Sequence, residues 1–263
     1  MTWLTSLPTA VLIIGGLAAA LLFVIGSRLA VRALIPAAQR DSAYTIAAPL
    51  MTALGGLFAL TMALTLAGEA ALLASAQGIV SNEAADASRL AWAATSDGVN
   101  ATPIQSAVLG YLRATRGYEW QGETAAEGDD AATAHALANL ENVVRAQAGR
   151  PGLATPTSNE LLASLDAVTS DRRARLSAAS RELPVLYVVV LVVAGAALMT
   201  NAMVLTARGG WRAALPVGGL AVVIGLSLAL LFALSAPWRG SLTVSGHPID
   251  TVIRDLNTGY FQR

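Results

Sequence analysis

The chain has 263 residues, of which 55% are hydrophobic and 13% charged. Its mean hydropathy of +0.58 excludes an ordinary soluble globular domain and points to a membrane protein. The formal net charge is zero, all 17 basic residues are arginine, and no cysteine is present, which excludes disulfides, thiolate catalysis and cysteine-based metal sites.

Four stretches without a charged residue reach the roughly 20 residues that a hydrocarbon core of about 30 Å requires. They are the start of the chain to Ser27, Ser42 to Gly68, Leu183 to Ala207, and Ala213 to Trp238. These predict transmembrane helices over 8–27, 44–68, 183–207 and 214–236. No basic residue precedes the first apolar run and no clear small-x-small site ends it, so this segment is expected to stay as an anchor rather than act as a cleaved signal. The connection 28–43 carries Arg28, Arg32 and Arg40 against Asp41, and the connection 208–213 carries Arg208 and Arg212 with no acid. The positive-inside rule, counted over short loops, places both in the cytoplasm. Both termini, the segment 69–182 and the tail 237–263 are then expected outside. The exclusive use of arginine suits a GC-rich bacterial genome, and the expected location is a bacterial cell membrane.

The sizeable polar region is 69–182, with nine arginines against 14 acids. Its pattern is helical throughout. The second span runs without a breaker through Glu69 and Val80 to Trp92, which predicts one helix of about 50 residues leaving the membrane for water. Thr102, Pro103 and Gln105 read as a capping box, opening a helix with the apolar face Ile104, Val108, Tyr111 and Leu112. That helix fades between Gly117 and Gly128. The next runs from about Asp130 to Ala148 through Leu137, Leu140 and Val144, and Gly149-Arg150-Pro151-Gly152 stops it. A last helix begins near Thr157 or Ser158, carries Leu161, Leu165, Val168 and Leu176 on one face, and is expected to feed directly into the third span at Pro184. The fold class is therefore an all-α membrane protein with a helical extramembrane domain between the second and third spans and a short extended segment, Ser241 to Ser245, in the tail.

Three stretches carry a family resemblance. They are Val80-Ser-Asn-Glu-Ala-Ala-Asp-Ala-Ser-Arg-Leu, then Ser170-Asp-Arg-Arg-Ala-Arg-Leu-Ser-Ala-Ala with Leu183-Pro184, and Pro237-Trp238-Arg239-Gly240-Ser-Leu-Thr-Val-Ser. The chain resembles the bestrophin-like family of bacterial membrane proteins, a domain of unknown function. In that family two spans, a helical insert of about 100 residues, two more spans and a short tail follow in this order. The likeness extends from about residue 45 to 256. One position departs: the family usually has an acid two residues before the tail proline, where this chain has Ser235. The family is named for a distant likeness to bestrophins, which are oligomeric anion channels, so the resemblance implies a homo-oligomeric channel or conduit.

Thr61, Thr65 and Glu69 fall at i, i+4 and i+8 on one helical face. They read either as a polar stripe lining a pore, with Glu69 at its outer mouth, or as threonines bonding their own helix and a glutamate marking the exit into water. A carboxylate ring would favour cations, against the bestrophin analogy. Arg172, Arg173 and Arg175, with Arg181, could collect an anion or an anionic lipid headgroup at the membrane surface. The same arginines could instead pair with Glu83 and Asp86, if the first and last extramembrane helices pack antiparallel. Asn201 is placed to hydrogen-bond across a helix interface, and Gly15-Gly16, Gly55-Gly56 and Gly218-Gly219 to allow close helix approach. Trp238 and Arg239 suit the membrane interface after Pro237 ends the fourth helix. The tail, with an amphipathic turn through Ile249, Val252, Ile253 and Leu256, is expected to act as a clasp.

Nothing in the chain points to catalysis. His135 and His247 have no acid at triad or metal-ligand spacing, and no HExxH, GxSxG or phosphate-binding glycine loop is present. No metal site, cofactor or enzymatic activity is expected, and the acidic polar region argues against nucleic-acid binding. The lipid bilayer is the first partner. Three roles remain: a channel or conduit; a non-catalytic accessory or scaffolding subunit that meets other subunits of a larger membrane complex; and, the weakest, an enzyme whose site is assembled from distant residues and leaves no local motif.

Overall fold

The computed structural model describes residues 9–120, 130–181, 183–207, 209, 211–235, 237–238 and 242–262. Among them the regular structure is helical, with no strand. Eight α-helices follow in chain order: α1 Thr9–Leu34, α2 Arg40–Ala93, α3 Ala101–Tyr118, α4 Ala131–Ala148, α5 Thr155–Ala179, α6 Val185–Thr206, α7 Leu215–Leu234 and α8 His247–Asn257. Four of them, α1, α2, α6 and α7, are long and apolar enough to cross a membrane.

The chain divides into two units. The first contains α1, the first part of α2 to Ala71, α6 and α7. Here α1 packs on α6 and α7, and α6 on α7. Small residues make the approach possible, because lipid tails are as apolar as the helices and give no hydrophobic drive to associate. Gly16 and Gly225 meet backbone to backbone: a Cβ on either would stand 3.1 Å from the other's carbonyl oxygen. Gly195 leaves room for Phe58 and Ile224, each 3.3 Å from where its Cβ would be. Asn201 Nδ2 donates to Ala47 O at 3.0 Å, the α6-to-α2 hydrogen bond its sequence position suggests. Of the glycine pairs picked out by sequence, Gly16 alone makes such an approach; Cβ atoms at Gly15, Gly56, Gly218 and Gly219 would meet nothing within 4 Å. Leucines and valines facing outward, such as Leu22, Leu60, Leu64, Leu186 and Val193, leave the unit with the apolar exterior that lipid requires.

The second unit holds the rest of α2 from Leu72, then α3 to α5, α8 and the tail. Its core gathers Val80, Ala84, Ala87 and Leu90 of α2 with Ile104, Val108, Tyr111 and Leu112 of α3, Leu140 and Val144 of α4, and Leu161, Leu165 and Val168 of α5. The apolar faces read from helical spacing are therefore the buried ones, except at Leu176, which is half-buried outside this core, and Leu137, which is half-buried against it.

Several boundaries differ from the sequence expectation, each for a local reason. α1 continues to Leu34, so Arg28 and Arg32 stand on its last turns rather than in a connection. The box at Thr102 does not form: Asn100 is the N-cap of α3, and Gln105 turns inward to donate from Nε2 to Ala91 O at 3.3 Å. α4 is capped by Asp130, whose Oδ1 accepts from Ala132 N at 2.8 Å and Thr133 N at 3.1 Å. α5 starts at Thr155, earlier than its polar residues indicate, because Pro156 in the first turn lacks only a donor that has no helical acceptor there. It ends at Ala179 and α6 restarts at Val185 with Pro184 as N-cap, so α5 does not run directly into the third span. The tail segment Ser241 to Ser245 falls partly outside the described residues; from Thr243 to Gly246 it is irregular rather than a strand.

The Gly16–Gly225 contact predicts the cost of a side chain there. Gly225→Val should destabilise the protein by about 1–3 kcal/mol, the range for overpacking, whereas Gly15→Val should be close to neutral. Thermal unfolding of the two variants in one detergent checks this; equal midpoints would contradict the close crossing.

Candidate functional site

The second unit buries a charged cluster that its amphipathic helices place with some precision. Glu83 projects from α2, Tyr111 from α3, Arg172 and Arg175 from the last two turns of α5, and Glu119 follows the last residue of α3. Arg172 and Arg175 are three residues apart and so share one helical face. Glu83, Glu119 and Tyr111 are fully buried and Arg175 is 1% exposed.

Arg175 sits at the centre. Its Nε donates to Glu83 Oε2 at 2.7 Å, and its Nη2 donates to Glu119 Oε2 at 2.9 Å. Arg172 Nη2 donates to Glu119 Oε1, and Tyr111 donates its hydroxyl hydrogen to Glu83 Oε1. Two carboxylates and two guanidiniums therefore neutralise one another. Each carboxylate receives at least two donors, the condition under which buried ions are tolerated. Burial first, and the Glu83 charge second, push the Tyr111 phenol well above its ordinary value, so it serves as a permanent donor. Burial opposes the charge on Arg175, and Glu83, Tyr111 and Glu119 together more than restore it.

An acidic pair borders the cluster. Asp171 Oδ2 is buried without a hydrogen-bond donor. Burial, then the neighbouring Asp86 carboxyl, then Glu83, push the Asp171 carboxyl up from 3.8 to about 6. A proton held on Asp171 gives the pair the donor it otherwise lacks.

The tail completes the unit. Arg116 Nε donates to Asp250 Oδ1 at 2.7 Å and its Nη2 to Asp250 Oδ2 at 3.0 Å, while the same guanidinium lies 4.8 Å from the Trp120 ring centre. A Cβ on Gly246 would come within 2.6 Å of Arg116 Cζ, so a side chain there would push the guanidinium aside. Gln77 and Ser245 exchange two hydrogen bonds, at 2.7 and 3.3 Å, and Arg113 donates to Asn257 Oδ1 at 2.8 Å. Trp238 is 5% exposed and packs edge-on against Trp120 with centroids 5.5 Å apart. It is therefore packed into the helical core; Arg239 lies outside the described residues.

The sequence-selected residues separate accordingly. Arg172 and Arg175 face carboxylates, the pairing alternative, with Glu119 in addition to Glu83 and with Asp86 set against Asp171 instead. Arg173 is exposed, and its Nε donates to Thr169 O of its own helix at 3.2 Å. Thr61, Thr65 and Glu69 lie half-buried on α2. Thr61 Oγ1 donates to Leu57 O and Thr65 Oγ1 to Thr61 O, both at 2.8 Å. Glu119 was missed by sequence reasoning because it follows Gly117, where the helical pattern fades; its position between a helix end and Trp120 is the available signal. His135 is solvent-exposed.

Four spanning helices and a helical insert with a closed ionic core define an all-α polytopic membrane protein. The chain belongs to the bestrophin-like family: the Bestrophin-like domain model matches residues 18–249. No curated protein and no solved structure matches it.

Removing one partner of a buried ion pair strands the other, so Arg175→Met should lower stability by about 3–5 kcal/mol. Arg173→Met, on the exposed side of the same helix, should change it by less than about 0.5 kcal/mol. Thermal unfolding in detergent separates the two. Asp171 titrates higher in the fold than unfolded, so the fold holds that proton more tightly and its contribution is lost as pH rises through about 4 to 6. Lowering the pH from about 7 to about 5 should therefore raise the unfolding midpoint in wild type, and Asp171→Asn should flatten that rise.

Proposed function

We propose that several copies of this chain assemble in a bacterial cell membrane into an ion conduit, with no catalytic step of their own. The observation that carries this reading is the polar face of α2. Thr61, Thr65 and Glu69 are half-buried in a stretch where Leu57, Leu60 and Leu64 are exposed. A carboxylate among apolar groups at a bilayer is costly against lipid and tolerable beside water, which favours a shared aqueous path. Repeated around an axis, Glu69 forms a carboxylate ring, and such rings favour cations. This departs from the anion conduction that likeness to bestrophins implies.

A second reading, an accessory or scaffolding subunit of a larger membrane complex, has its own support. The hydroxyl hydrogens of Thr61 and Thr65 are taken up by their own helix, which weakens the stripe as a lining for ions. On either reading the arginine-bearing ends Arg28, Arg32 and Arg212 face the cytoplasm, and the helical unit and both termini lie outside.

Purified protein in planar bilayers should pass cation-selective current, and Glu69→Gln should shift its reversal potential toward zero under a salt gradient. Silent bilayers containing a verified oligomer favour the accessory role. For orientation, Asn139→Cys, exposed on α4, should react with an impermeant maleimide on intact cells; reaction only after permeabilisation reverses the topology.

A further inference from the structure

The seam between α2 and α5 carries three charged contacts in succession, and the middle one is mismatched. On one side Glu83 Oε2 accepts from Arg175 Nε at 2.7 Å, and on the other Glu160 Oε1 accepts from Arg89 Nε at 2.8 Å. Between Glu83 and Arg89 on α2 stands Asp86, which meets Asp171 of α5 within hydrogen-bonding range. Opposite charges thus draw the two helices together on either side of a point where like charges face each other. Two carboxylates in contact repel, and they attract when one proton lies between them.

The cations around this contact are committed elsewhere. Arg175 and Arg172 are turned to Glu83 and Glu119, Arg173 bonds Thr169 O of its own helix, and Arg89, near enough to feel Asp86, gives its Nε to Glu160. Of the other helices, α3 brings Tyr111 and is followed by Glu119, both taken up in the ionic centre, and α4 brings the exposed His135 and the pair Glu141–Arg145 at 3.6 Å. Asp171 Oδ2 is buried without a donor, yet Asp86 and Asp171 are both half-buried residues at the edge of the seam, within reach of protons from water. We propose that the Asp86–Asp171 contact is a proton-operated latch: acid closes the α2–α5 seam locally, and loss of the shared proton loosens it while the flanking ion pairs hold. α2 is also a spanning helix, so the acidity of the surrounding water sets how firmly α5 holds the extension of a membrane span.

Hydrogen exchange of the full-length protein, read by mass spectrometry at pH 7 and pH 5 and corrected for the intrinsic pH dependence of exchange, tests the latch. A carboxyl that titrates at about 6 when closed and 3.8 when open favours the closed form at most about tenfold more at pH 5 than at pH 7. Water screens a half-buried pair, so peptides covering 83–90 and 167–175 should gain severalfold protection on acidification, and those covering 104–112 and 140–146 should not. Asp171→Asn, whose amide donates to Asp86 at either pH, should keep the seam protected at both values, and Asp86→Asn applies the same test from the other helix. Asp97→Asn, at an exposed position, should respond to pH as wild type does. Equal wild-type protection at the two pH values, or an undiminished response in the asparagine variants at the seam, would overturn the proposal. So would protection at pH 7 that calcium raises in wild type and not in Asp171→Asn, since the pair would then hold a metal ion rather than a proton.

Discussion

The Arg175 guanidinium, held between Glu83 and Glu119, is the contact on which the helical unit depends. An ion withdrawn from water loses a hydration energy that one contact does not restore, so each member requires all of its partners at once. Glu83 belongs to α2, Glu119 to the end of α3 and Arg175 to α5. Satisfying one guanidinium therefore fixes the relative rotation and height of three helices. Apolar packing alone is more forgiving, since leucine and valine faces tolerate small slips. The ionic centre makes those slips costly, and Tyr111 and Arg172 extend the same constraint outward.

The spanning unit is organised on the opposite principle. Among lipid tails there is no water to escape, and charge is kept away from the contact surfaces. Association depends on backbones coming close, which is why Gly16, Gly195 and Gly225 stand where helices touch and why one amide, Asn201, crosses to α2. α2 belongs to both regimes. Its first part carries an apolar exterior and its later part presents Glu83 to a buried arginine, with no break in the helix between them.

The four spans and the continuity of α2 were legible because absence of charge and absence of a breaker are both visible in one dimension. The helical faces were legible for the same reason, through their spacing. Burial of charge was not, because an arginine run such as Arg172 to Arg175 reads equally as a surface patch or as a set of ion-pair partners until the facing elements are known. Glu119 shows the limit most clearly: it acts after its helix has ended, where periodicity carries no information. Trp238 shows it in another way, since its chemistry suits an interface and gives no sign of the packing against Trp120 that buries it. The break between α5 and α6 depends on Pro184 capping a new helix instead of joining an old one, and both uses of proline look alike in sequence.

The helical unit is assembled from two separated pieces of chain, 72–181 and the tail beyond α7. Gln77, Arg113 and Arg116 all bond residues that lie after the fourth span in chain order. During synthesis these partners leave the ribosome after the four described spanning helices have been made. The Arg116 and Trp120 surface of the insert therefore stays uncovered until the chain beyond the fourth span has been made.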